Sequence, residues 1–225
     1  MVQAPYDEKS DIWSFKRPGI AVDVVLLSVF ENSLQVGLIE RQEEPYHGSF
    51  ALPGRFVRYE EKLTQTAHKA LEKKAGITSD QVYLRQLKTF GDELVRDTRI
   101  RTISVVYYAL IPRTIVESSN TISWHSFSEL PIMAFDHKDI VEQSVKAIRE
   151  RLFYTDAIFY LLTKEFTLSE LQQTYEAVLG EELDKRNFRK KIFEVYDLKD
   201  LKRLKRSGAH RPAKLYSFVK KKKRH

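Results

Sequence analysis

The chain has 225 residues, 42% of them hydrophobic and 31% charged, which excludes an intrinsically disordered protein and predicts one or two folded domains. It contains no cysteine, which excludes disulfides and thiolate metal sites, and no apolar run predicts a signal peptide or a membrane span. We therefore expect a soluble, cytoplasmic protein without membrane contacts. The net charge of +7 is unevenly placed, because residues 181–225 hold 17 Lys or Arg against 6 Asp or Glu. This basic end predicts a polyanionic partner.

Two strands and a helix are predicted in the first third of the chain. Residues 20–30 are rich in β-branched side chains, which predicts a buried strand. Residues 34–41 predict a second strand that pairs back on the first across a short polar turn. Apolar residues then recur at helical spacing from Leu63 until Gly76 ends the helix.

Residues 55–77 resemble the Nudix box of pyrophosphate hydrolases, a loop and helix with a fixed pattern of glycine, arginine and glutamate. Leu71 and Gly76 anchor the alignment and put Glu61 at the first acidic position. The aromatic, small, apolar, Pro-Gly run at residues 46–54 is similar to a run that precedes the box in Nudix domains. The other box positions depart from the pattern, with Arg55 at the first glycine, Lys69 at the arginine, Ala70 at the next glutamate, and Lys73 and Lys74 at the paired glutamates.

Two alternatives are open for this stretch. A register one residue earlier keeps Gly54, Glu60 and Glu72 but puts Ala75 at the second glycine, and a plain charged surface helix would need no motif at all. The resemblance implies a Nudix fold, in which several carboxylates hold Mg²⁺ beside a pyrophosphate. Because lysines replace two of these carboxylates and an alanine replaces a third, we expect no metal site, no catalytic residue and no enzyme activity. An active hydrolase of a nucleoside diphosphate derivative is the alternative.

The body is completed by further strands and a helix. Strands are predicted at residues 83–91 and 102–111. A linker helix is predicted over residues 136–152, with Asp136 as a plausible N-cap. We assign residues 1–150 to a Nudix-like, effector-sensing domain.

Residues 131–137 resemble the Pro-Leu-Ala-Phe-Asp-His run that joins the two domains of Nudix-related transcriptional regulators. The C-terminal third is consistent with that family. Residues 167–170 read as a capping box that starts a helix, and Gly180 ends it. A second, basic helix follows, which Asp184 or Asn187 can cap.

The expected fold class is α+β, with an N-terminal Nudix-like α/β/α sandwich containing a mixed sheet, followed by a winged helix-turn-helix domain at residues 151–219. Strands at 201–206 and 213–219 form the predicted wing, and residues 220–225 form a basic tail that we expect to be disordered. Lysine and arginine reach phosphates by long-range attraction, and arginine also reads guanine edges. The candidate DNA-binding residues are Arg186, Asn187, Arg189, Lys190, Lys191, Arg206, Arg211 and Lys214. A general RNA-binding module is the alternative for this basic end.

The resemblance implies a repressor of NAD-related genes whose Nudix-like domain binds ADP-ribose or a related nucleotide, while some relatives respond to sugars. We expect basic side chains to neutralise the effector phosphates in place of Mg²⁺, with no cofactor. The candidate effector-binding residues are Arg41, Arg55, Phe56, Glu61, Arg99, Arg101 and His137. A structural role is the alternative for His137. We expect a homodimer on double-stranded operator DNA, because a winged helix that reads a two-fold operator needs two copies.

Overall fold

The body of the protein is built on one mixed sheet. A computed structural model describes residues 16–78, 82–112, 114, 121–206 and 212–221. The strands of the body are β1 (Gly19–Phe30), β2 (Ser33–Glu40), β3 (Phe50–Ala51), β4 (Gly54–Phe56), β5 (Tyr83–Phe90), β6 (Thr102–Leu110) and β7 (Ser123–Ser126). Their order is β3-β2-β1-β6-β5, while β4 also pairs with β1 and β7 with β2. The pair of β1 and β6 is parallel and the others are antiparallel, as a mixed sheet requires.

The uninterrupted apolar run of β1 reflects a sheet that is covered on both faces. Val22 and Val24 pack against α1 (Leu63–Ala75), whereas Val25 and Leu27 belong to a hydrophobic cluster on the opposite face. Successive residues of a strand point to opposite faces, so a strand buried on both sides reads as continuous rather than alternating.

A tight hairpin joins β1 to β2. Only Glu31 and Asn32 lie between the paired residues Phe30 and Ser33, and both have positive φ, 53° and 56°. Two consecutive residues with positive φ match the twist of the flanking strands. Ser33, which the sequence placed in the turn, is the first residue of β2.

Helix α1 has the C-terminus that its sequence predicts. Gly76 adopts the left-handed conformation at φ 66° and donates its amide to the Glu72 carbonyl. A residue with a side chain would be strained there, which explains the glycine. At the other end, the side chain of Gln65 accepts a 2.9 Å hydrogen bond from the Lys62 amide.

Helix α2 (His137–Arg151) covers the opposite face of the sheet through apolar residues that include Ile140 and Val145. Asp136 occupies the N-cap position, but its carboxylate makes no capping hydrogen bond. It accepts two 2.8 Å hydrogen bonds from the guanidinium of Arg96 instead. The start of α2 is therefore tied to the loop between β5 and β6.

The C-terminal part is a winged helix. It comprises a 3₁₀ helix at Ala157–Leu161, β8 (Phe166–Thr167), α3 (Leu168–Leu179), α4 (Lys185–Val195), β9 (Tyr196–Lys205) and β10 (Ala213–Lys221). The capping box of α3 is present, because Thr167 Oγ1 accepts from the Glu170 amide and the Glu170 carboxylate accepts from the Thr167 amide. Asp184 caps α4 by accepting from the Asn187 amide at 2.8 Å.

The wing differs from the predicted pair of short strands. Strand β8 pairs with β10, so the sheet has three strands, and β9 begins at Tyr196 rather than at residue 201. The tip of the wing at residues 207–211, which includes the predicted contact residue Arg211, and residues 222–225 of the predicted tail lie outside the described residues.

The two hydrophobic clusters are divided by the faces of the sheet. One cluster lies between β1, β6 and α1. The other is continuous from Val25 and Leu27 in the body, through α2, to Leu171 and Tyr175 of α3 and Ile192 of α4. The winged helix therefore shares its core with the body. No helix in the described part of the chain is long and apolar enough to cross a membrane.

Candidate ligand pocket and basic helix

A pocket of about 310 Å³ brings together five of the seven residues predicted to bind an effector. Arg41, Arg55, Phe56, Arg99 and His137 all line it. Glu61 and Arg101 are not among its lining residues. The remaining lining residues are Ala21, Asp23, Ile39, Glu43, Ala51, Leu52, Gly54, Lys74, Arg96, Asp97, Thr102 and Phe135. Five cationic side chains therefore face three carboxylates in this pocket.

An aromatic ring and two guanidinium groups form one side of the pocket. The guanidinium carbons of Arg41 and Arg99 lie 4.9 and 5.0 Å from the ring centroid of Phe135, and Tyr46 meets this ring edge-on at 4.9 Å. Phe135 has a φ of 56°, which costs about 1–3 kcal/mol for a residue other than glycine. Strain of this kind clusters at ligand sites, so the backbone singles out Phe135 as a functional candidate.

Arg99 is held in a fixed orientation. Its guanidinium donates two hydrogen bonds to Asp97, at 3.0 and 2.8 Å, and lies 5.5 Å from the ring centroid of Phe56. Burial alone would raise the pKa of Asp97, but the hydrogen bonds from Arg99 outweigh it and lower that pKa. Asp97 therefore stays ionised and holds Arg99 against the aromatic rings.

Arg101, by contrast, is turned to backbone carbonyls. Its guanidinium donates to the carbonyl oxygens of Gly91 and Glu93. It therefore braces the loop between β5 and β6, in which Arg96, Asp97 and Arg99 lie. Its predicted contact with an effector stays a prediction.

Glu61 is enclosed by partners from its own motif. Its carboxylate accepts hydrogen bonds from Lys69 at 2.9 Å, Thr66 at 3.1 Å and Arg55 at 3.3 Å. The hydrogen bond from Lys69 is the largest cause of a lowered pKa for Glu61, about 2 instead of 4.5. Glu61 thus ties β4 to α1 and orients Arg55 at the edge of the pocket.

The low pKa of Glu61 predicts a measurable pH dependence. A carboxyl group with a depressed pKa stabilises the fold above its unfolded value of 4.5, and this stabilisation is lost as the pH falls through about 2. We expect carbon-detected NMR titration to find that Glu61 is still ionised below pH 4.5 and titrates near 2, and that Lys69→Met shifts its titration upward. A Glu61 that titrates near 4.5 in the unaltered protein would show that these contacts do not persist in solution.

His137 has a structural contact inside the pocket wall. Its Nδ1 accepts a 3.0 Å hydrogen bond from the Leu52 amide, so a neutral ring carries its proton on Nε2. Burial lowers the pKa of His137, which favours this neutral form. Its Nε2 lies 3.9 Å from Oδ1 of Asp23, and the other carboxylate oxygen of Asp23, Oδ2, accepts a hydrogen bond from the Ser104 hydroxyl.

Gly54 is required by close packing against this carboxylate. A Cβ atom at Gly54 would lie 2.1 Å from Asp23 Oδ1 and 3.0 Å from the Val22 carbonyl oxygen. The first distance is shorter than real Cβ contacts and the second is tighter than most of them, so a side chain here would displace the Asp23 carboxylate. The Pro-Gly pair that marks the sequence motif therefore has a steric reason.

The box positions that carry metal-binding carboxylates in Nudix hydrolases do not supply them here. Ala70 is fully buried in the core, and Lys73 and Lys74 are exposed on the last turn of α1. Within the described residues, no three His, Cys, Asp or Glu side chains are grouped closely enough to hold a metal ion. Mg²⁺ prefers several carboxylate oxygens, so this donor set does not fit it.

The exposed face of α4 is basic. Phe188 and Ile192 anchor the helix in the core, while Arg186, Arg189 and Lys190 are exposed on the opposite side. Among the residues that the structure describes, no carboxylate pairs with any of these three side chains. They are free to meet an external anion, as the exposed Asn187 beside them is to meet a base edge.

Other predicted DNA-contact residues have partners within the protein. Lys191 lies 3.5 Å from the ring centroid of Phe153, and Lys214 forms a 3.1 Å ion pair with Asp200. Arg206 is exposed at the end of β9. A nucleic acid would have to compete with Asp200 for Lys214. The geometry therefore favours the exposed residues of α4 over Lys214 as DNA contacts.

Comparison with known proteins relates the whole chain to one family. Residues 18–146 match the NUDIX domain, and residues 158–218 match the NrtR DNA-binding winged helix domain. The chain is 35% identical to the ADPR responsive transcriptional repressor of Acinetobacter baylyi over 220 residues, 94% of this chain and 85% of that protein. The chain belongs to the NrtR family. The resemblance inferred from residues 131–137 and from the C-terminal motifs is therefore confirmed.

Solved structures of the NrtR family have the same fold. Shewanella oneidensis NrtR complexed with a 27mer DNA matches with a TM-score of 0.76 and 28% identity, covering 89% of this chain and 93% of that chain. The NUDIX domain of the same protein complexed with ADP ribose matches with a TM-score of 0.52 and 30% identity, covering 68% and 99%. The predicted fold class, a Nudix domain followed by a winged helix, is thus confirmed.

Several pocket residues of this NrtR family member were not predicted from the sequence. Asp23, Lys74, Arg96, Asp97 and Phe135 line the pocket with the predicted residues. Phe135 lies in the run that revealed the family, so its place in a linker motif was the available signal. Asp23 lies in an apolar strand, where a buried carboxylate is itself unusual.

Proposed function

We propose that this chain is a transcriptional repressor that binds double-stranded operator DNA through α4 and its wing and responds to ADP-ribose bound in the pocket. The observation that carries the proposal is that one helix serves both sites. Helix α2 begins with His137 in the pocket wall and carries Arg149 in its last turn, against the winged helix. A sensor and a DNA-binding domain joined in this way suit a ligand-responsive regulator.

The pocket chemistry suits a nucleoside diphosphate. Guanidinium groups bind phosphate oxygens with strong, charge-assisted hydrogen bonds, and Arg41, Arg55 and Arg99 supply three of them. Phe135 and Phe56 offer aromatic faces for a base or a sugar. A neutral sugar would leave Arg41 and Lys74, which form no ion pair within the described residues, without an anionic partner, and this favours the nucleotide over a sugar effector.

The same geometry argues for a binding protein rather than a hydrolase. The lysines at the paired-glutamate positions repel a divalent cation, and Glu61 is already held by three partners. We therefore infer that the pocket recognises its ligand without a metal cofactor and without cleaving it. Release of AMP from ADP-ribose in the presence of Mg²⁺ would contradict this part of the proposal.

The path of a signal is suggested by the contacts of α2. At its start, Asp136 is bound by Arg96, which lines the pocket. At its end, Arg149 Nε donates a 2.7 Å hydrogen bond to the Val178 carbonyl in α3, and its guanidinium lies 5.2 Å from the ring centroid of Phe127. A ligand that moves the first turn of α2 therefore acts on the domain that carries α4.

A mobility shift with the DNA upstream of the protein's own gene tests the proposed function. We expect the full chain to bind this duplex with steep salt dependence and ADP-ribose to weaken the complex. A two-fold operator and a homodimer are expected together, and light scattering measures the number of copies. The proposal fails if the duplex is bound no better than unrelated duplex and ADP-ribose has no effect, or if single-stranded RNA is bound more tightly.

A further inference from the structure

A second cavity adjoins the ligand pocket. It has a volume of about 370 Å³ and shares four lining residues with the pocket, which are Ile39, Arg41, Glu43 and Lys74. Its other lining residues are Glu40, Gln42, Lys73 and Thr121. The two spaces therefore meet between the end of β2 and the last turn of α1. We call these four shared residues the junction.

The positive charge that lacks a carboxylate partner is concentrated at the junction. Within the pocket, Arg99 is paired with Asp97, Arg96 with Asp136 and Arg55 with Glu61. The Arg41 guanidinium donates hydrogen bonds to the backbone carbonyls of Pro45 and Glu43 and forms no ion pair with a carboxylate of the described residues. Lys74 forms no ion pair with a carboxylate in the described part of the chain.

The shape of the space suits a ligand with two ends and an anionic centre. A diphosphate that links two sugar-containing groups carries its negative charge in the middle. Such a ligand can place one group in each cavity and its phosphates between Arg41 and Lys74. The only carboxylate at the junction is Glu43, so one acid opposes two cations there.

We propose that Lys74, together with Arg41, binds the diphosphate at the junction and supplies the positive charge that a divalent cation supplies in Nudix hydrolases. This inference rests on the proposed function and specifies how its ligand is held. Lys74 stands at one of the paired-glutamate positions of the Nudix box. A carboxylate there would need a metal ion to bridge it to phosphate, whereas an ammonium group binds phosphate directly.

The alternative, purely structural role for Lys74 is stabilisation of helix α1. Lys73 and Lys74 both lie in the last turn of α1, where cations interact favourably with the helix dipole. Both lysines share this role, but Lys73 lines the second cavity, which the ligand also enters in this proposal. The control is therefore Lys146→Ala, which removes an exposed lysine of α2 that lines neither cavity.

Calorimetry of the full-length protein with ADP-ribose separates these roles. We expect the unaltered protein to bind equally well in EDTA and in Mg²⁺. We expect Lys74→Ala to weaken binding about tenfold or more in both buffers, as the loss of a hydrogen bond between charged groups does. Lys146→Ala should leave binding within about threefold of the unaltered protein, and thermal unfolding should be similar for the two variants, which excludes a loss of helix stability as the cause of weaker binding.

Three results would overturn the assignment of Lys74. These are a requirement for Mg²⁺ in the unaltered protein, unchanged affinity in Lys74→Ala, or equal losses in the two variants. If the unaltered protein binds no ADP-ribose in either buffer, the proposed effector is wrong and the assignment falls with it. The first three results leave an ADP-ribose-responsive repressor intact, so the two failures are distinguishable.

Discussion

Simultaneous replacement of Arg186, Arg189 and Lys190 by alanine is expected to weaken operator binding by about 100-fold or more. These side chains form the exposed basic face of α4, and no carboxylate of the described residues pairs with them. If each contributes about 1 kcal/mol or more through a phosphate or base contact, the three together exceed the roughly 2.8 kcal/mol that corresponds to 100-fold. Each lost phosphate contact also lowers the slope of log affinity against log salt by about 0.9, so the slope should fall by as much as about 3.

A control with the same loss of charge distinguishes contact from net charge. Arg58, Arg85 and Lys146 are exposed on the body, away from α4, and match the first set in number and type of cation. We expect their triple alanine variant to bind the operator within a few-fold of the unaltered protein. Both triple variants should bind ADP-ribose normally in calorimetry. If the two triple variants lose DNA affinity equally, the basic face of α4 has no special role.

Local features of the fold were predictable because each depends on a few residues that are close together in the sequence. Gly76 ends α1, and Thr167 and Glu170 start α3, since each feature depends on one helix terminus and its own turn. Strand β1 was predictable from its run of β-branched, apolar residues, and β6 from its alternating pattern. The family resemblance added what these patterns lack, namely the order in which the elements pack.

The pocket was only partly predictable because its residues meet through tertiary contacts. Asp23 on β1, Asp97 in the loop before β6 and Phe135 before α2 are far apart in sequence, and no spacing rule relates them. Lys74 was identified only as a loss from the motif. Its position between two cavities, and the lack of an ion pair with any carboxylate in the described part of the chain, give it a role that the pattern alone did not indicate.

The shared core was not predictable either. Helical periodicity predicts that one face of α2 or α3 is buried, but not which surface covers it. In the structure, Ile148 of α2 and Leu171 of α3 belong to the same cluster as Val25 of the sheet. The winged helix is therefore packed on the body rather than attached by a free linker. A displacement of α2 would change the packing of the body and of the winged helix.

Replacement of Arg149 by methionine is expected to uncouple the two sites. Arg149, in the last turn of α2, donates a hydrogen bond to the Val178 carbonyl of α3. Its guanidinium also lies close to Gly180, because a Cβ atom added at Gly180 would be 3.1 Å from Nη2 of Arg149. Methionine retains the unbranched apolar stem, and with it packing near Phe127, but cannot donate. The Val178 carbonyl then loses a partner, at a cost of about 1–3 kcal/mol in folding stability if water does not replace it.

The decisive measurement is the effect of ADP-ribose on DNA affinity. Allosteric coupling of about 1–3 kcal/mol corresponds to a 5- to 150-fold change in affinity, and in Arg149→Met we expect less than about a twofold change. Calorimetry should find ADP-ribose affinity preserved, because the pocket lies at the other end of α2. Arg151→Met is the control, since Arg151 is exposed at the end of the same helix and should keep full release. If Arg149→Met releases DNA as readily as the unaltered protein does, the signal reaches α4 through the shared apolar core and not through this hydrogen bond.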